Sequence, residues 1–427
     1  MTATAQFHLA MRTLRDAGAA LDSSVYAFFV PGRIEVLGKH TDYAGGRSLL
    51  ATVDRGFIAV AVRRADGRTR VIDAVSGEQA VLDDHDPATS PLWVRYPATV
   101  LRRMERNFPD AVGGADVAFA SNLPPASGLS SSSALVVAIF LALGAVRGVG
   151  STAGYAAAIE SDEDLAGYLG AVENGLDFRG LTSSSGVGTM GGSEDHTAML
   201  CAREGRLVQY SFAPVRFERA VRMPDEHVFV VASSGVRAEK AGAAMQRYNA
   251  LAQQTQALVR SWHDAGLGTE PTLGAIIDSG PDAASRLRDV IGARPQHDER
   301  AALLARLVQF EAESGHIVRE AADALDHGDT AAFGEHVRRS QQLAEQTLGN
   351  QIDETIFLVR SALEQGALAA SAFGAGFGGS VWALTETDRA AALMQAWRSA
   401  YTGGFPAHAD AAVFFSSRPA GPASRLA

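Results

Sequence analysis

The chain has 427 residues, 47% of them hydrophobic and 20% charged, with a net charge of −10. That length suits two domains, or three at most. The acidic balance leaves no basic footprint for nucleic acid, so any small anionic ligand would have to be held locally, by loop N–H groups, a metal and a few Arg or Lys. The single cysteine, Cys201, excludes an intramolecular disulfide and a cysteine-based metal cluster. Residues 1–22 lack the apolar core of a signal peptide. No uncharged apolar run reaches ~18 residues, the length that spans a membrane. A cytoplasmic location is the expectation.

In chain order, residues 7–18 read as an amphipathic helix. Residues 25–30 read as a strand that delivers the segment 31–46, dense in glycine and ionisable groups. Such a segment between apolar strands reads as a functional loop. Strands are expected over 56–62 and 69–73, a helix over 93–108 and a strand over 115–120. Residues 121–134 then pass through a Pro-Pro turn into a Gly/Ser loop ahead of an apolar helix, 135–143. A helix start leaves backbone N–H groups unpaired and carries partial positive charge. Small residues let the backbone approach an anion, and Ser hydroxyls add hydrogen bonds or a magnesium ligand. No Gly-Lys-Ser/Thr follows, so this is not the Walker loop. Taken alone, the stretch reads equally as a phosphate cradle or as a linker before a core helix.

Helices over 152–160 and 165–175 lead into 180–193, too rich in glycine for a regular element, which ends at Glu194-Asp195-His196-Thr197. Strands over 207–212 and 228–232 flank a domain boundary near 214–225. Helices are expected over 239–265, 299–326 and 330–347. Strands 369–373 and 380–384 enclose the loop 374–379, which carries no ionisable side chain. It reads as backbone approaching a bound group, or as a tight hairpin. A strand over 411–415 precedes a Pro/Ala/Ser tail expected to be disordered. Together these elements indicate an α+β protein of two layered domains, without internal repeats.

Three glycine-rich loops, each leaving a strand, suggest convergence on one ligand. Their residues carry a specific resemblance. Pro31-Gly32-Arg33 through Leu37-Gly38-Lys39-His40-Thr41-Asp42-Tyr43, then residues 124–133, then Phe373-Gly374-Ala375-Gly376-Phe377-Gly378-Gly379 resemble, in order, the three signature motifs of the GHMP small-molecule kinase superfamily. Within it they are most similar to the galactokinase family. Trp93 with Tyr96, and residues 233–237, also have counterparts there, so the resemblance covers nearly the whole chain. It implies the α+β two-domain GHMP kinase fold. An N-terminal S5-domain-2-like α/β domain would span residues 1–215, and a C-terminal ferredoxin-like α+β domain 216–427. It further implies an ATP- and magnesium-dependent sugar kinase acting on the anomeric 1-hydroxyl, with galactose as the leading substrate. Its partners would be sugar and ATP, without nucleic acid or membrane, in a monomer or homodimer.

Phosphorylating a sugar hydroxyl requires the γ-phosphoryl group held in line, its charge neutralised and the hydroxyl oriented. By resemblance, Asp195 matches the acidic residue that faces the hydroxyl as base or orienting acceptor, with Glu194 as its local competitor. Arg33 matches the arginine beside it, able to stabilise both that carboxylate and the transferring group. Pro125, Ser127, Gly128, Leu129, Ser130, Ser131, Ser132 and Ser133 match the phosphate loop, and Trp93 would lie near the adenine. Glu173 and Ser132 match the magnesium ligands, hard oxygen donors that suit that ion. Lys39, His40, Asp42, Gly192, Asp195, Gly376 and Tyr248 fall to the sugar. His196 is expected as a hydrogen-bonded neighbour, not a catalyst.

Three departures from the galactokinase pattern fall on the sugar side. Lys39 stands where the family has a glutamate that accepts from the 6-hydroxyl of galactose; a lysine can only donate. It could meet a carboxylate at carbon 6, which points to a uronic acid such as galacturonate. It could also contact a neutral sugar, or turn to solvent. The family's pocket tyrosine is matched by Met245, or shifted to Tyr248. The segment 180–193 lengthens the path from Glu173 to Asp195, and forms either an extra loop at the sugar pocket or a sign that Glu173 is not the metal ligand. A non-catalytic sugar and ATP sensor on the same fold is the alternative from another class; Ser130, Ser131, Ser132, Ser133, Arg33 and Asp195 argue for catalysis.

Overall fold

The computed structural model describes residues 1–21, 24–86, 89–124, 127–236 and 242–426, apart from the side chains of 242–244. Pro125 and Arg237 lie outside the described residues. The first half runs α1 (Ala3–Asp16), β1 (Tyr26–Leu37), β2 (Arg47–Arg64), β3 (Thr69–Asp73), β4 (Gln79–Val81), α2 (Leu92–Asn107), β5 (Gly114–Ser121), α3 (Ser131–Arg147), α4 (Ala153–Ala158), α5 (Asp162–Asn174), α6 (Glu194–Cys201), β6 (Arg206–Ser211) and β7 (Arg216–Arg222). The second runs β8 (His227–Ser233), α7 (Gly242–Asp264), α8 (Leu273–Asp278), α9 (Ala283–Gly292), α10 (His297–Ala312), α11 (Val318–Asp326), α12 (Thr330–Leu343), α13 (Asp353–Glu364), β9 (Ala369–Ala372), β10 (Ser380–Glu386), α14 (Ala390–Gly404), β11 (Val413–Ser417) and β12 (Ser424–Arg425). This is the mixed, two-sheet architecture that the alternation of elements predicted.

Strands of the first sheet lie in the order β12-β1-β2-β5-β3-β4, with β6 joined to β2 and β7 to β6. Only the β3–β5 pairing is parallel. Helix α3 is apolar on every side because it is enclosed by β1, β2 and β5 below and by α2, α5 and α6 around it. The second sheet, β11-β8-β10-β9, is antiparallel throughout. Side chains along a strand alternate faces. Accordingly, Val228, Val230 and Ala232 pack with Trp397 and Tyr401, while Phe229 and Val231 join the main core with Phe333 and Val337.

Several expectations are corrected. Residues 31–37 are not loop: β1 continues through them, pairing Arg33 with Thr52 and Glu35 with Leu50. The chain leaves the strand only at Gly38, whose φ of +116° suits a residue without a side chain. β7, which a boundary at 216 assigns to the second domain, hydrogen-bonds to β6 in the first sheet. The tail is ordered. Ala420 N–H donates to Thr52 O, Ala423 N–H to Met199 O, and β12 pairs with β1. Composition suggested disorder there, but backbone pairing with an exposed edge strand orders it. The helix expected over 299–326 is divided by a π-turn, Glu313–Ile317, between α10 and α11.

Candidate active site

β1 and α6 bring the charged centre together. Ile34 and Val36 face the core, so the alternate residues Arg33 and Glu35 share the opposite face. Arg33 Nε donates to Asp195 Oδ1 at 2.7 Å, and its NH2 lies 2.7 Å from the same oxygen. Arg33 NH1 donates to Gly128 O at 2.8 Å. Asp195 Oδ2 accepts from Ser133 Oγ at 3.2 Å. One guanidinium thus joins the acidic residue to the serine loop. Burial works against the charge on Arg33, but Asp195, Glu194 and Glu35 outweigh it and raise its pKa above the ordinary value.

A cavity of about 510 Å³ opens over this centre. One end is apolar, formed by Phe57, Leu92, Trp93, Tyr96, Phe119 and Leu135, and its walls suit a flat heterocycle. Gly128 and Ser130 to Ser133 form the middle, at the start of α3. Gly128 and Ser130 both take left-handed backbone, φ +78° and +58°, which turns the loop against the helix N-terminus. Glu173, 3% exposed on α5, lines the same region together with Ser132. His196 Nε2 lies 3.1 Å from Glu173 Oε2 without hydrogen-bond geometry, so the hydrogen-bonded neighbour expected at His196 is a close contact only.

The other end gathers Glu35, His40, Asp42, Tyr248, Gly191, Gly192, Glu194, Gly374 and Ala375. His40 Nδ1 pairs with Tyr43 Oη at 2.9 Å, and its ring packs 5.0 Å from that of Tyr248. Asp42 Oδ2 accepts from Glu194 N–H at 3.2 Å, capping α6. A Cβ on Gly192 would fall 2.3 Å from Asp42 Oδ2, so the backbone there must be bare. Burial, and after it the charge of Asp42, holds the Tyr248 hydroxyl pKa well above its usual value, so it remains a donor.

The segment 180–193 has become this end's wall. Asn174 Oδ1 accepts from Gly191 N–H and Thr189 Oγ1, and Asn249 of α7 grips Met190 N–H and Gly188 O. The added residues therefore frame the pocket while Glu173 stays in it. Met245 packs near Gly188, behind the loop, and Tyr248 takes the pocket position.

Three expectations need correction. Lys39 is fully buried and does not line the cavity: its Nζ donates to Ser371 Oγ at 2.7 Å and Ser340 Oγ at 3.1 Å. A bulge between Glu35 and Leu37 breaks the strand alternation, putting Val36 and Leu37 both in the core, and the chain then leaves the strand at Gly38, so Lys39 does not share the face of Arg33 and Glu35. Gly376 packs against Asn350, and Gly374 and Ala375 reach the cavity in its place. Ser127 and Leu129 do not line the cavity either. Ser127 O accepts from Ser380 Oγ and Leu129 O from Arg33 N–H, which locks the serine loop to β10 and β1.

Sequence reasoning missed two groups. Glu35 could have been found from its two-residue spacing to Arg33. The face Arg306, Gln309 and Glu313 clamps the segment 38–43. Gln309 Nε2 donates to Lys39 O, Arg306 donates to His40 O, and Glu313 Oε1 accepts from the N–H of Gly38 and of Lys39. Polar residues at i, i+3 and i+7 read in sequence as a solvated helix face, so no local signal marked this clamp.

Comparison with known proteins agrees with this geometry. Residues 18–64 match a galactokinase galactose-binding signature, 95–177 the GHMP kinases N terminal domain and 321–403 the GHMP kinases C terminal domain. The chain is 29% identical over 408 residues to a galactokinase of Streptomyces coelicolor, covering 93% of each. It is 27% identical over 364 residues to one of Roseiflexus sp., covering 83% of the chain and 82% of the relative. The fold superposes on Lactococcus lactis galactokinase complexed with galactose at a TM-score of 0.77, with 21% identity and 98% and 99% coverage. Mevalonate kinase from Methanococcus jannaschii shares the fold at a TM-score of 0.55 and 11% identity, covering 93% and 99%. The chain belongs to the GHMP kinases and is a sugar kinase of the galactokinase type.

Proposed function

We propose that this enzyme transfers the γ-phosphoryl group of ATP to the anomeric 1-hydroxyl of galactose or a close relative. The observation that carries the reading is the placement of Asp195, gripped by Arg33 and Ser133 between the serine loop and the polar end of the cavity. The adenine fits against Trp93. Loop N–H groups and the N-terminus of α3 receive the phosphates. Asp195 orients the hydroxyl and accepts its proton, while Arg33 spreads positive charge toward the phosphoryl group as it moves. Glu173, buried on α5, and the half-buried Ser132 present oxygen donors beside the loop, a set that fits magnesium, and would hold it there. When bound, the ion neutralises phosphate charge. His40, Asp42 and Tyr248 bind the sugar, which the galactose-binding signature over residues 18–64 supports.

No helix among the described residues is long and apolar enough to cross a membrane, and we place the enzyme in the cytoplasm. The test is ADP release from ATP and magnesium with galactose, galacturonate, glucuronate, arabinose, fucose and N-acetylgalactosamine. Galactose or a near relative should turn over best. Asp195→Asn should cut kcat by about 10²-fold or more while ATP affinity stays within a few-fold. Equal loss of both would overturn the assignment of Asp195.

A further inference from the structure

With Lys39 turned away, another group must read the sugar where the galactokinase pattern has its glutamate. Glu35 stands on the cavity face of β1, two residues from Arg33, and is 3% exposed. Its Oε1 is buried with no hydrogen-bond partner among the described residues. The loop over it is glycine by necessity: a Cβ on Gly374 would fall 1.9 Å from Glu35 Oε2. Glu194 is its neighbour, 4% exposed, with Oε2 accepting from Ser48 Oγ at 2.6 Å and Oε1 at 3.6 Å from Arg33 Nε.

Burial, opposed by Arg33 and Lys39, leaves the Glu35 pKa raised; burial and the nearby Glu35 raise that of Glu194 further. Burial favours the protonated form of each carboxyl, and the two carboxyls disfavour being charged together. Glu35 Oε1 keeps a buried acceptor lone pair without a donor. A buried acceptor costs free energy until a ligand supplies the hydrogen bond.

We propose that Glu35 is a specificity-determining residue, taking a hydrogen bond from a hydroxyl of the acceptor sugar and, with Glu194, rejecting sugars that carry a carboxylate. The inference rests on the sugar-kinase reading above. Charge around the site agrees with it. Glu35, Asp42, Glu194 and Asp195 line this end, and Arg33 is the single Lys or Arg among the described lining residues. A uronate would enter a field of its own sign. The uronic-acid alternative depended on Lys39, which faces Ser340 and Ser371 instead.

The experiment measures kcat/KM for galactose, its 2-, 3-, 4- and 6-deoxy analogues and galacturonate, with wild type, Glu35→Leu and Glu35→Gln, alongside the KM for ATP. Glu35→Leu should raise the galactose KM at least tenfold and leave the ATP KM unchanged. For one deoxy analogue, the one lacking the contacted hydroxyl, the substitution should cost less than threefold. Equal losses with every analogue, or a matching loss for ATP, overturn the proposal. Glu35→Gln keeps the shape and an acceptor oxygen but removes the charge. It should narrow the preference for galactose over galacturonate at least tenfold, and an unchanged preference overturns the proposal even if Glu35→Leu fails to fold. Wild-type protein that turns over no sugar overturns the kinase reading itself; sugar turnover insensitive to Glu35 overturns this proposal alone.

Discussion

Lys39 separates what its position in the motif suggests from what its surroundings dictate. Its Nζ makes two buried hydrogen bonds, to Ser340 and Ser371, and Ser340 Oγ in turn donates to Glu313 Oε1 at 2.8 Å. Lys39→Met preserves most of the side-chain volume and removes both bonds. Their loss, with two serine hydroxyls left to re-pair, costs about 1–3 kcal/mol. For a structural unit of ~200 residues that lowers Tm by about 2–12 °C. Lys39→Glu is worse, because it brings a carboxylate against Ser340, whose proton is already committed to Glu313. An uncompensated buried charge costs about 3–5 kcal/mol. Calorimetric melting should therefore rank wild type above Lys39→Met above Lys39→Glu. Steady-state kinetics on the folded fraction should show the galactose KM of Lys39→Met within threefold of wild type. A Lys39→Met variant with unchanged Tm and a galactose KM raised tenfold would refute the reasoning and return Lys39 to the sugar.

Other expectations address the two ends of the cavity and its acid pair. Trp93→Ala removes an aromatic face from the apolar end; losing a base-stacking surface costs about 1–3 kcal/mol, so the ATP KM should rise while the galactose KM holds. Equal increases in both would place Trp93 elsewhere. Gly192→Ala forces a methyl group against Asp42 and should raise the galactose KM by roughly tenfold, about 1.4 kcal/mol, with little effect on ATP. Stability should also depend on pH through Glu35 and Glu194, whose folded-state pKa values are raised. The folded state keeps a proton that the unfolded chain releases above its ordinary glutamate pKa of about 4.3. Folding is then coupled to proton uptake, and stability falls as pH rises from there through the raised pKa of the pair. Tm measured against pH should show that decline, and Glu194→Gln should flatten it. An identical slope in the variant would show that the proton resides elsewhere.

The glycine loops were legible because the backbone constraints that demand them are local. Gly128 and Gly374 lie where a phosphate loop and a bare approach to the cavity were expected. Arg33 and Asp195, distant in sequence, were paired by motif resemblance, and the 2.7 Å contact bears that pairing out. Direction was harder to read. Period-two alternation holds only while the register does, and it fails for Lys39 because a bulge between Glu35 and Leu37 shifts the register before Gly38 turns the chain. The clamp from Arg306, Gln309 and Glu313 was hidden for a different reason: polar residues on a helix look like a solvated face until the element that covers them is known. The segment 180–193 could be recognised as irregular, but its anchoring by Asn249 of α7 is a long-range contact that no local pattern encodes.

The pairing of β12 with β1 bears on how the enzyme is made. β1 carries Arg33 and Glu35, and part of its outer edge is covered where Ser424 and Arg425 pair with Phe29 and Phe28. During synthesis the first sheet emerges early, yet its edge stays open until nearly all of the second half has followed. Domains generally fold as units as they leave the ribosome, and an unpaired strand edge invites misassociation meanwhile. Here the strand bearing Arg33 is completed by residues translated at the opposite end of the described chain. The first half of the chain would therefore hold its serine loop while β1 still lacks one neighbour, so completion of the first sheet waits for translation of the second half.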